Sequence, residues 1–386
     1  MSSGRAEAAR FQAAADLLRL VRQRPGLTRS AAAAELGLSS GSATEIAARL
    51  RGLGLLDEQP APATGRGRPS TVLGAGPDGP LAAVVDIRHE DWRAALVDLT
   101  GARTPLGAGR HTGGPPDELL GTIRRTLRNA HRRYGSRLRA VSVAIVGTVR
   151  GERLMQASTL GWGDVDLGPL GVGLPLMVGN DASLAGVAEA RRAAGDARAV
   201  LYLTVEVGIG GVLVDAGRPI TGATGAGGEF GHLPFGDPGR RCPCGATGCW
   251  DLEVDGRAMA RYRRRPQPAD PWTYAADTIA SADPGARRAV ERCAIALGRG
   301  TAGLVNALDP DAVRLGGLAA PMYEAAGEAL RQAYRSGLMA FRRAAPPPLS
   351  PATVGADGPL LGAADVAFDE VLTEAGLAAW AADHAG

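Results

Sequence analysis

Apolar side chains recur at helical spacing near the start of the chain. Leu17, Leu18 and Val21 fall on one helical face after Phe11. The Pro-Gly pair that begins at Pro25 ends this helix, because proline removes a backbone donor and glycine favours a turn. The pattern therefore predicts a first amphipathic helix from Phe11 to the stop at Pro25.

Two shorter helices are predicted after this turn. Thr28 is suited to cap a helix over residues 29–36, and a tight turn follows at residues 37–40. The third helix contains Ile46 and Leu50 and ends in the glycine-containing segment 52–54. Three helices with a short turn before the last form a helix-turn-helix arrangement, whose last helix enters the DNA major groove.

The N-terminal side chains of the third helix are the candidate DNA contacts. Ser40, Ser42 and Thr44 are small and hydroxylated, so they allow close approach to base edges and phosphates. Arg49 lies further along the same helix and is better placed for a phosphate.

An arginine-containing loop follows, between two short apolar segments, residues 55–58 and 71–73. This pattern predicts two strands and a wing. Arg66 and Arg68 stand between glycine and proline, as in arms that place arginine in a narrow minor groove. Alone, such a segment is typical of a flexible linker. Its position directly after three helices favours a winged helix-turn-helix.

Strands and helices alternate from residue 81 onward, which predicts an α/β fold. The predicted strands cover residues 81–86, 92–98, 140–146, 174–178 and 199–205, and the predicted helices cover residues 118–134 and 184–192. A turn-rich segment around residues 74–80 precedes them. We therefore expect a DNA-binding domain with wing and linker over residues 1–76 and a second domain over residues 77–386.

Composition narrows the class of protein. A chain of 386 residues fits two or three domains. The formal charge of +3 is too weak to indicate nucleic acid by itself, but the region up to Arg51 is locally basic. There is no signal peptide and no apolar run long enough for a membrane span. These features predict a cytoplasmic protein with reduced thiols and no membrane partner.

Three of the four cysteines, Cys242, Cys244 and Cys249, lie close together, and His232 precedes the first of them by ten residues. Four such donors in a glycine-containing stretch indicate a closed, structural Zn²⁺ site over residues 232–249. The alternative is a pair of disulfides. Because only one residue separates two of the cysteines and Cys293 is distant, that framework is hard to draw.

Glu229 stands three residues before His232, beside glycines that allow close approach. A metal-bound imidazole keeps one ring nitrogen for another hydrogen bond. Glu229 and His232 are therefore candidates for binding a small hydroxylated ligand. The alternative is that Glu229 only orients the histidine.

Asn180 and Asp181 stand at a strand-to-helix junction, where open α/β sheets bind ligands. An aspartate there can accept a proton from a hydroxyl nucleophile or only hydrogen-bond it. The alternative is that Asp181 caps the helix. The glycine-rich segment 207–212 is interpreted as a loop whose backbone N–H groups approach a ligand, although this signal is weak.

Together, these motifs resemble the ROK family, named for repressors, open reading frames and kinases. The strongest part of the resemblance is the segment 228–232 leading into the cysteine loop, and the following segments agree in order and spacing: 180–181, 208–211, 306–310 and 315–317. Segments 27–29, 54–56 and 67–69 are similar to the DNA-binding region of the repressor branch, which adds Thr28 and Arg29 to the candidate DNA contacts.

The resemblance implies an actin-like, two-lobed sugar-kinase fold behind a winged helix. It implies that Asn180 and Asp181 bind sugar hydroxyls and that Asp181 is the equivalent of the kinase base. It also implies that Glu229 and His232 touch the sugar, while His232 and the three cysteines hold zinc. A further sugar-binding glutamate of the family is replaced by the shorter Asp251.

The sequence departs from the kinases of the family at the first strand pair. Their Asp-x-Gly-Gly-Thr phosphate loop is replaced by Asp86-Ile87-Arg88-His89-Glu90. Bulky and acidic residues there hinder the approach of nucleotide phosphates. The Gly-x-Pro-Gly turn is also altered, at residues 145–148. We therefore expect no ATP binding and no catalysis, despite Asp181.

Two functional hypotheses follow. The first is a transcriptional regulator that binds a double-stranded DNA operator as a homodimer or homotetramer, with a sugar effector in the degenerate kinase-like domain. The alternative is an ATP-dependent sugar kinase with an accessory DNA-binding domain. A regulator that senses a protein partner instead of a sugar is also compatible with the sequence.

Overall fold

The computed structural model describes residues 2–24, 26–60, 71–111, 113–192 and 197–384. The helices are α1 (Ser2–Gln23), α2 (Arg29–Glu35), α3 (Ser40–Gly52), α4 (Pro116–Tyr134), α5 (Asp181–Arg192), α6 (Gly256–Tyr262), α7 (Pro271–Ala280), α8 (Pro284–Leu308), α9 (Ala319–Gly337), α10 (Ala340–Arg343), α11 (Gly358–Val371) and α12 (Glu374–Asp383). The strands are β1 (Leu56–Pro60), β2 (Thr71–Ala75), β3 (Leu81–Ile87), β4 (Asp91–Val97), β5 (Arg103–Arg110), β6 (Leu138–Ile145), β7 (Thr148–Arg150), β8 (Arg153–Gln156), β9 (Val165–Asp166), β10 (Leu176–Asn180), β11 (Ala199–Val205), β12 (Ile209–Asp215), β13 (Arg218–Pro219), β14 (Ala312–Gly317) and β15 (Leu349–Pro351).

The chain forms two compact units. The first comprises Met1–Ala144, Asp166–Val178 and Ala363–Gly386, and the second comprises Ile145–Val165 and Gly179–Gly362. Residues 1–76 fall inside the first unit together with the first sheet. The domain boundary at residue 76 stays a prediction.

The N-terminal region contains the three predicted helices and the strand pair. The Thr28 side chain caps α2 by accepting a hydrogen bond from the backbone of Ala31, and Ser39 caps α3 in the same way. Leu17, Leu18 and Leu50 are buried, so the predicted helical faces form the core of this region. Strands β1 and β2 pair antiparallel, as the wing prediction requires. Arg66 and Arg68 lie outside the described residues.

A five-stranded sheet in the order β10-β6-β3-β4-β5 forms the centre of the first unit. Val84 and Val85 of β3 are fully buried, as expected for a strand covered on both faces. Helix α4 buries Ile123 and Leu127 and exposes its opposite face.

The N-terminal helical region and the C-terminal helices are joined within the same unit by contacts that are distant in sequence. Arg22 of α1 forms a 2.8 Å ion pair with Asp365 of α11 and lies over the ring of Phe368. Trp380 of α12 donates a hydrogen bond of 3.0 Å from its indole to the backbone carbonyl of Leu53, directly after α3. These contacts connect the helix-turn-helix to the end of the chain.

The second unit has its own five-stranded sheet, in the order β13-β12-β11-β14-β15. Leu203, Val313 and Leu315 of this sheet belong to one buried apolar cluster with Leu297 and Leu330 of α8 and α9. Strand β11 coincides with the predicted strand. Within the described residues, no helix is long and apolar enough to cross a membrane.

The glycine-rich segment predicted as a loop differs in the structure. Gly210 and Gly211 lie inside β12, which pairs antiparallel with β11. A Cβ on Gly210 would lie 2.6 Å from the Cβ of Ala182, at the start of α5. The absence of a side chain at Gly210 permits close packing of the strand on the helix. Glycine is therefore needed at this position for packing, and not to form an open loop.

Candidate functional site

The four predicted metal ligands lie together in the second unit. The Sγ of Cys242 is 3.8 Å from the Nδ1 of His232, and the Sγ atoms of Cys244 and Cys249 are 3.6 Å apart. One ligand atom from each residue lies within 4.8 Å of the other three. All of the cysteines are free thiols, so the disulfide alternative is not adopted.

The donor set fits a tetrahedral ion. Sulfur ligands about 2.3 Å from a tetrahedral ion stand roughly 3.8 Å from one another. The spacing of Cys242, Cys244, Cys249 and His232 is close to that value. The cluster can therefore hold a metal ion with no large movement of its ligands.

Local backbone geometry explains why these ligands converge. Gly245 and Gly248 have φ values of +99° and +71°, which glycine adopts without strain. Behind the cluster, the indole of Trp250 donates a 3.0 Å hydrogen bond to the carbonyl of Ala296 in α8. A Cβ on Gly300 would lie 2.2 Å from this indole, so the residue at position 300 must be small. The loop is thus fixed to α8 by a buried tryptophan.

Burial affects the thiols of the cluster. It raises the pKa of Cys249 to about 12 and also raises the pKa of Cys242. A bound cation favours the thiolate forms and opposes this effect of burial.

His232 is close to both the cysteine cluster and two carboxylates. Its Nε2 atom is 3.9 Å from Glu229, while its Nδ1 atom, on the cluster side, is 3.6 Å from Asp251. Asp251 also accepts a 2.6 Å hydrogen bond from the backbone of Ile209. Burial raises the pKa of Asp251, and the Ile209 hydrogen bond opposes that shift.

Gly231 allows Asp251 to reach this position. A Cβ on Gly231 would lie 1.9 Å from a carboxylate oxygen of Asp251. Glu253, two residues further along, has a different role: it accepts hydrogen bonds from Tyr262 at 2.7 Å and from Arg261 at 2.8 Å. The shorter acidic side chain, Asp251, is therefore the one beside His232.

Asn180 and Asp181 stand at the junction of β10 and α5. The Asn180 side chain donates to the carbonyl of Gly147 and to Asp181, both at 3.0 Å. It also accepts from the backbone of Ser183, while Asp181 accepts from the backbone of Ala182 at 2.8 Å. Asn180 thus caps the first turn of α5. The helix begins three residues earlier than the sequence predicted.

Thr148 connects these two groups of residues. Its hydroxyl donates a 2.6 Å hydrogen bond to Glu229, and its neighbour Gly147 accepts from Asn180. The five predicted sugar-binding residues therefore belong to one connected set in the second unit, namely Asn180, Asp181, Glu229, His232 and Asp251. Sequence reasoning noted the altered turn at residues 145–148 but assigned no role to Thr148. A hydroxyl directly after a glycine turn was the available signal.

A tight hairpin occupies the position of the altered phosphate loop in the first unit. Arg88 makes two hydrogen bonds to the carboxylate of Asp91, at 2.7 and 2.8 Å, and Arg110 pairs with Glu90. Asp86 is fully buried and accepts a 3.0 Å hydrogen bond from Arg93. Burial raises the pKa of Asp86, and the Arg93 guanidinium opposes that rise.

Three of the predicted DNA contacts form an exposed hydroxylated surface at the start of α3: Ser40, Ser42 and Thr44. Within this surface, the hydroxyl of Thr44 donates to the carbonyl of Ser40 at 2.8 Å, and the hydroxyls of Ser42 and Ser39 are 2.9 Å apart. The other described candidates are also engaged within the protein. Thr28 caps α2, Arg29 forms a 3.1 Å ion pair with Glu58 of β1, and Arg49 lies over the ring of Phe11.

These features define a sugar-kinase-like α/β protein with an N-terminal helical region. The sequence model of the ROK family matches residues 83–370, which is most of the chain. The chain belongs to the ROK family.

Relatives in this family include both enzymes and a regulator. Glucokinase of Streptomyces coelicolor is 27% identical over 278 residues, covering 65% of this chain and 86% of the enzyme. The crystal structure of a ROK family glucokinase from Streptomyces griseus, in complex with glucose and AMPPNP, has 25% identity and a TM-score of 0.63, and the match covers 75% of this chain and 99% of that chain.

The crystal structure of a ROK family transcriptional regulator, a homologue of the E. coli MLC protein, is similar over more of the chain. The match covers 97% of this chain and 100% of that chain, with a TM-score of 0.76 and 20% identity. At this identity the likeness shows the fold alone. It extends to the N-terminal helical region, whereas the glucokinase match covers three quarters of the chain.

Proposed function

We propose that this protein is a DNA-binding transcriptional regulator whose activity is controlled by a sugar bound in its kinase-like domain, residues 77–386. The observation that carries the proposal is the exposed hydroxylated start of α3 within a capped helix-turn-helix followed by a strand pair. Such a surface admits the close approach that reading base edges requires. The similarity of nearly the whole chain to the fold of a ROK transcriptional regulator supports the same function.

The sugar site of the proposal consists of Asn180, Asp181, Glu229, His232 and Asp251. Carboxylates, an amide and an imidazole that are held by neighbours suit a ligand with several hydroxyl groups. The glucokinase relatives act on a sugar, which supports this class of ligand.

The metal of the cluster is proposed to be a structural Zn²⁺ ion. The donors would be His232, Cys242, Cys244 and Cys249, which is a closed set with no position left for substrate. When bound, the ion supplies rigidity: it fixes the ring of His232 so that Nε2 remains directed toward Glu229.

One feature opposes nucleotide binding. In the hairpin of the first unit that occupies the position of the phosphate loop, Arg88 is engaged by Asp91, and Arg110 pairs with Glu90. The bulky side chains at this position hinder the close approach of backbone N–H groups to the phosphates of ATP, so the domain is proposed to be catalytically inactive.

The proposed partners are a double-stranded operator and a second copy of the chain, as a homodimer or homotetramer, because two half-sites require two recognition helices. A DNA partner also implies a cytoplasmic location. The test is gel retardation of DNA from the region upstream of the protein's own gene, at low salt, with and without sugars. The proposal is contradicted if no duplex is retarded under any of these conditions.

The second candidate function is an ATP-dependent sugar kinase. It is favoured by the position of Asp181 at the start of α5 beside Asn180, where a base would face a sugar hydroxyl. A coupled phosphotransfer assay over hexoses, pentoses and amino sugars separates the two functions. Turnover of about 1 per second or more would favour the kinase and overturn the proposed inactivity.

A further inference from the structure

Helix α4 carries a row of exposed arginines on the first unit. Its apolar residues Ile123, Leu127 and Ala130 are buried against the unit. The solvent face carries five exposed arginines, namely Arg124, Arg125, Arg128, Arg132 and Arg133. We call these five residues the α4 arginine row.

No acid that the structure describes neutralises the row. Among the described residues, none of the five arginines forms an ion pair; Arg125 donates to the hydroxyl of Thr122, Arg132 donates to the side chain of Asn129, and Arg133 lies over Tyr134. Most other arginines named above are paired with acids. The α4 arginine row therefore presents unneutralised positive charge to solvent.

Helix stability explains only part of this arrangement. Arginines in the last turn interact favourably with the helix dipole, which accounts for Arg132 and Arg133. Arg124 and Arg128 lie nearer the N-terminus of the helix. Arg124 is four residues from Arg128, and Arg128 is four residues from Arg132, so that like charges are neighbours along the helix. Each such pair costs about 0.2–0.5 kcal/mol. A polyanionic partner would offset that cost.

The row ends beside the linker of the helix-turn-helix region. The chain turns after Tyr134, and Arg137 donates hydrogen bonds to the carbonyls of Pro77 at 2.9 Å and Gly79 at 3.2 Å. Strand β2 of the predicted wing ends at Ala75, two residues before this contact. The C-terminal end of α4, with its arginines, is thus attached where the N-terminal region joins the rest of the unit.

We propose that the α4 arginine row is a second DNA-contacting surface that binds the phosphates of duplex DNA flanking the operator. The inference rests on the proposed regulator function. A guanidinium binds a phosphate through two parallel N–H groups, which favours arginine at such a surface. Because phosphates are the same in every sequence, this surface adds affinity without adding base preference.

The variant that tests the proposal combines Arg124→Gln, Arg125→Gln and Arg128→Gln, all at exposed positions. The matched control combines Arg287→Gln, Arg288→Gln and Arg292→Gln, which removes the same charge from exposed arginines of α8 in the second unit. Fluorescence anisotropy measures the affinity of each full-length protein for a long operator duplex over a range of salt concentrations.

Each lost phosphate contact lowers the slope of log affinity against log salt by about 0.9. We expect the α4 variant to lose about 2 to 3 units of slope, and the α8 control to keep the wild-type slope. On duplexes trimmed from both ends toward the operator, the α4 variant and the wild type should converge. Circular dichroism checks that both variants are folded.

An unchanged slope in the α4 variant, an equal loss in the α8 control, or a difference that persists on the shortest bound duplex would each overturn the α4 surface while leaving the regulator proposal intact. If the wild type binds no duplex at all, the regulator proposal fails, and the α4 inference fails with it.

Discussion

At the scale of single residues, His232 is central because each of its ring nitrogens faces a different set of groups. Nδ1 lies toward Cys242 and Asp251, while Nε2 lies toward Glu229. If a zinc ion is bound through Nδ1, the other nitrogen remains available to a ligand hydroxyl. One side chain would then link metal binding to sugar binding.

The metal cluster gives the first residue-scale prediction. Cys244→Ser should abolish zinc binding, because a neutral hydroxyl is a poor replacement for a thiolate ligand. Metal analysis of the purified wild type should find about one zinc per chain, and the variant should contain little. Cys293→Ala is the control, since Cys293 is buried in the core away from the cluster. A wild type without zinc would contradict the assignment.

The second residue-scale prediction concerns Asp181. Asp181→Asn keeps the size of the side chain but removes a charged acceptor, so the affinity for sugar should fall by about 10- to 100-fold. DNA binding without sugar should be unchanged. Calorimetry with a sugar found by thermal-shift screening measures the effect. Glu291→Gln, at an exposed position on α8, is the control. Equal affinities of Asp181→Asn and wild type for the sugar would refute the proposed role of Asp181 in sugar binding.

At the scale of elements, the packing of β12 on α5 positions the sugar residues. We predict that Gly210→Ala weakens sugar binding, because the new methyl group would press on Ala182 beside Asp181. Overpacking of this kind costs about 1–3 kcal/mol. Urea unfolding and calorimetry measure the two effects. Gly121→Ala in α4 is the control, since the added carbon has no atom within 4 Å apart from its chain neighbours and the nearby backbone of its own helix. Unchanged stability and affinity in Gly210→Ala would argue against this coupling.

The contact between α1 and α11 gives a second element-scale prediction. Asp365→Asn removes the carboxylate that forms the 2.8 Å ion pair with Arg22, whose side chain is 10% exposed. Removing one member of a buried pair costs about 3–5 kcal/mol. Urea unfolding should show a loss of this order, and Glu370→Gln, an exposed acid on the same helix, should lie within about 0.5 kcal/mol of wild type. Equal stability of the two variants would mean that the ion pair does not anchor α1.

These elements also show which parts of the fold and of the candidate site could be predicted from the sequence. Local signals were sufficient for α2, α3 and β11, where caps, apolar spacing and turn residues act within a few positions. The metal cluster could be predicted because its ligands are close in sequence and restricted in type. The family resemblance identified the expected ligand as a sugar and added Asp251 to the candidate residues.

Long-range partners could not be predicted in this way. Trp380 bonds to the carbonyl of Leu53, and Arg22 pairs with Asp365, across most of the chain, so no periodicity indicates either contact. Thr148 was missed because its partner, Glu229, is brought to it by the fold. The sequence predicts a loop at the glycines of β12 because sequence alone does not distinguish a glycine needed for conformational freedom from one needed for close packing.

At the scale of the whole molecule, a regulator controlled by a sugar requires that sugar binding and DNA binding affect one another. A coupling between two sites is reciprocal, so a sugar that changes the affinity for DNA by some factor must have its own affinity changed by DNA by the same factor. Factors of about 5 to 150 are typical. The direction of the change distinguishes a sugar that releases DNA from one that promotes binding.

The most direct test is an anisotropy titration of a labelled operator duplex with the wild-type protein and with Asp181→Asn, at one salt concentration, with and without the sugar that stabilises the protein. We predict that the sugar changes the wild-type affinity for DNA by about fivefold or more and leaves that of Asp181→Asn unchanged. Equal wild-type affinities with and without saturating sugar would contradict the proposal that this kinase-like domain is a sensor.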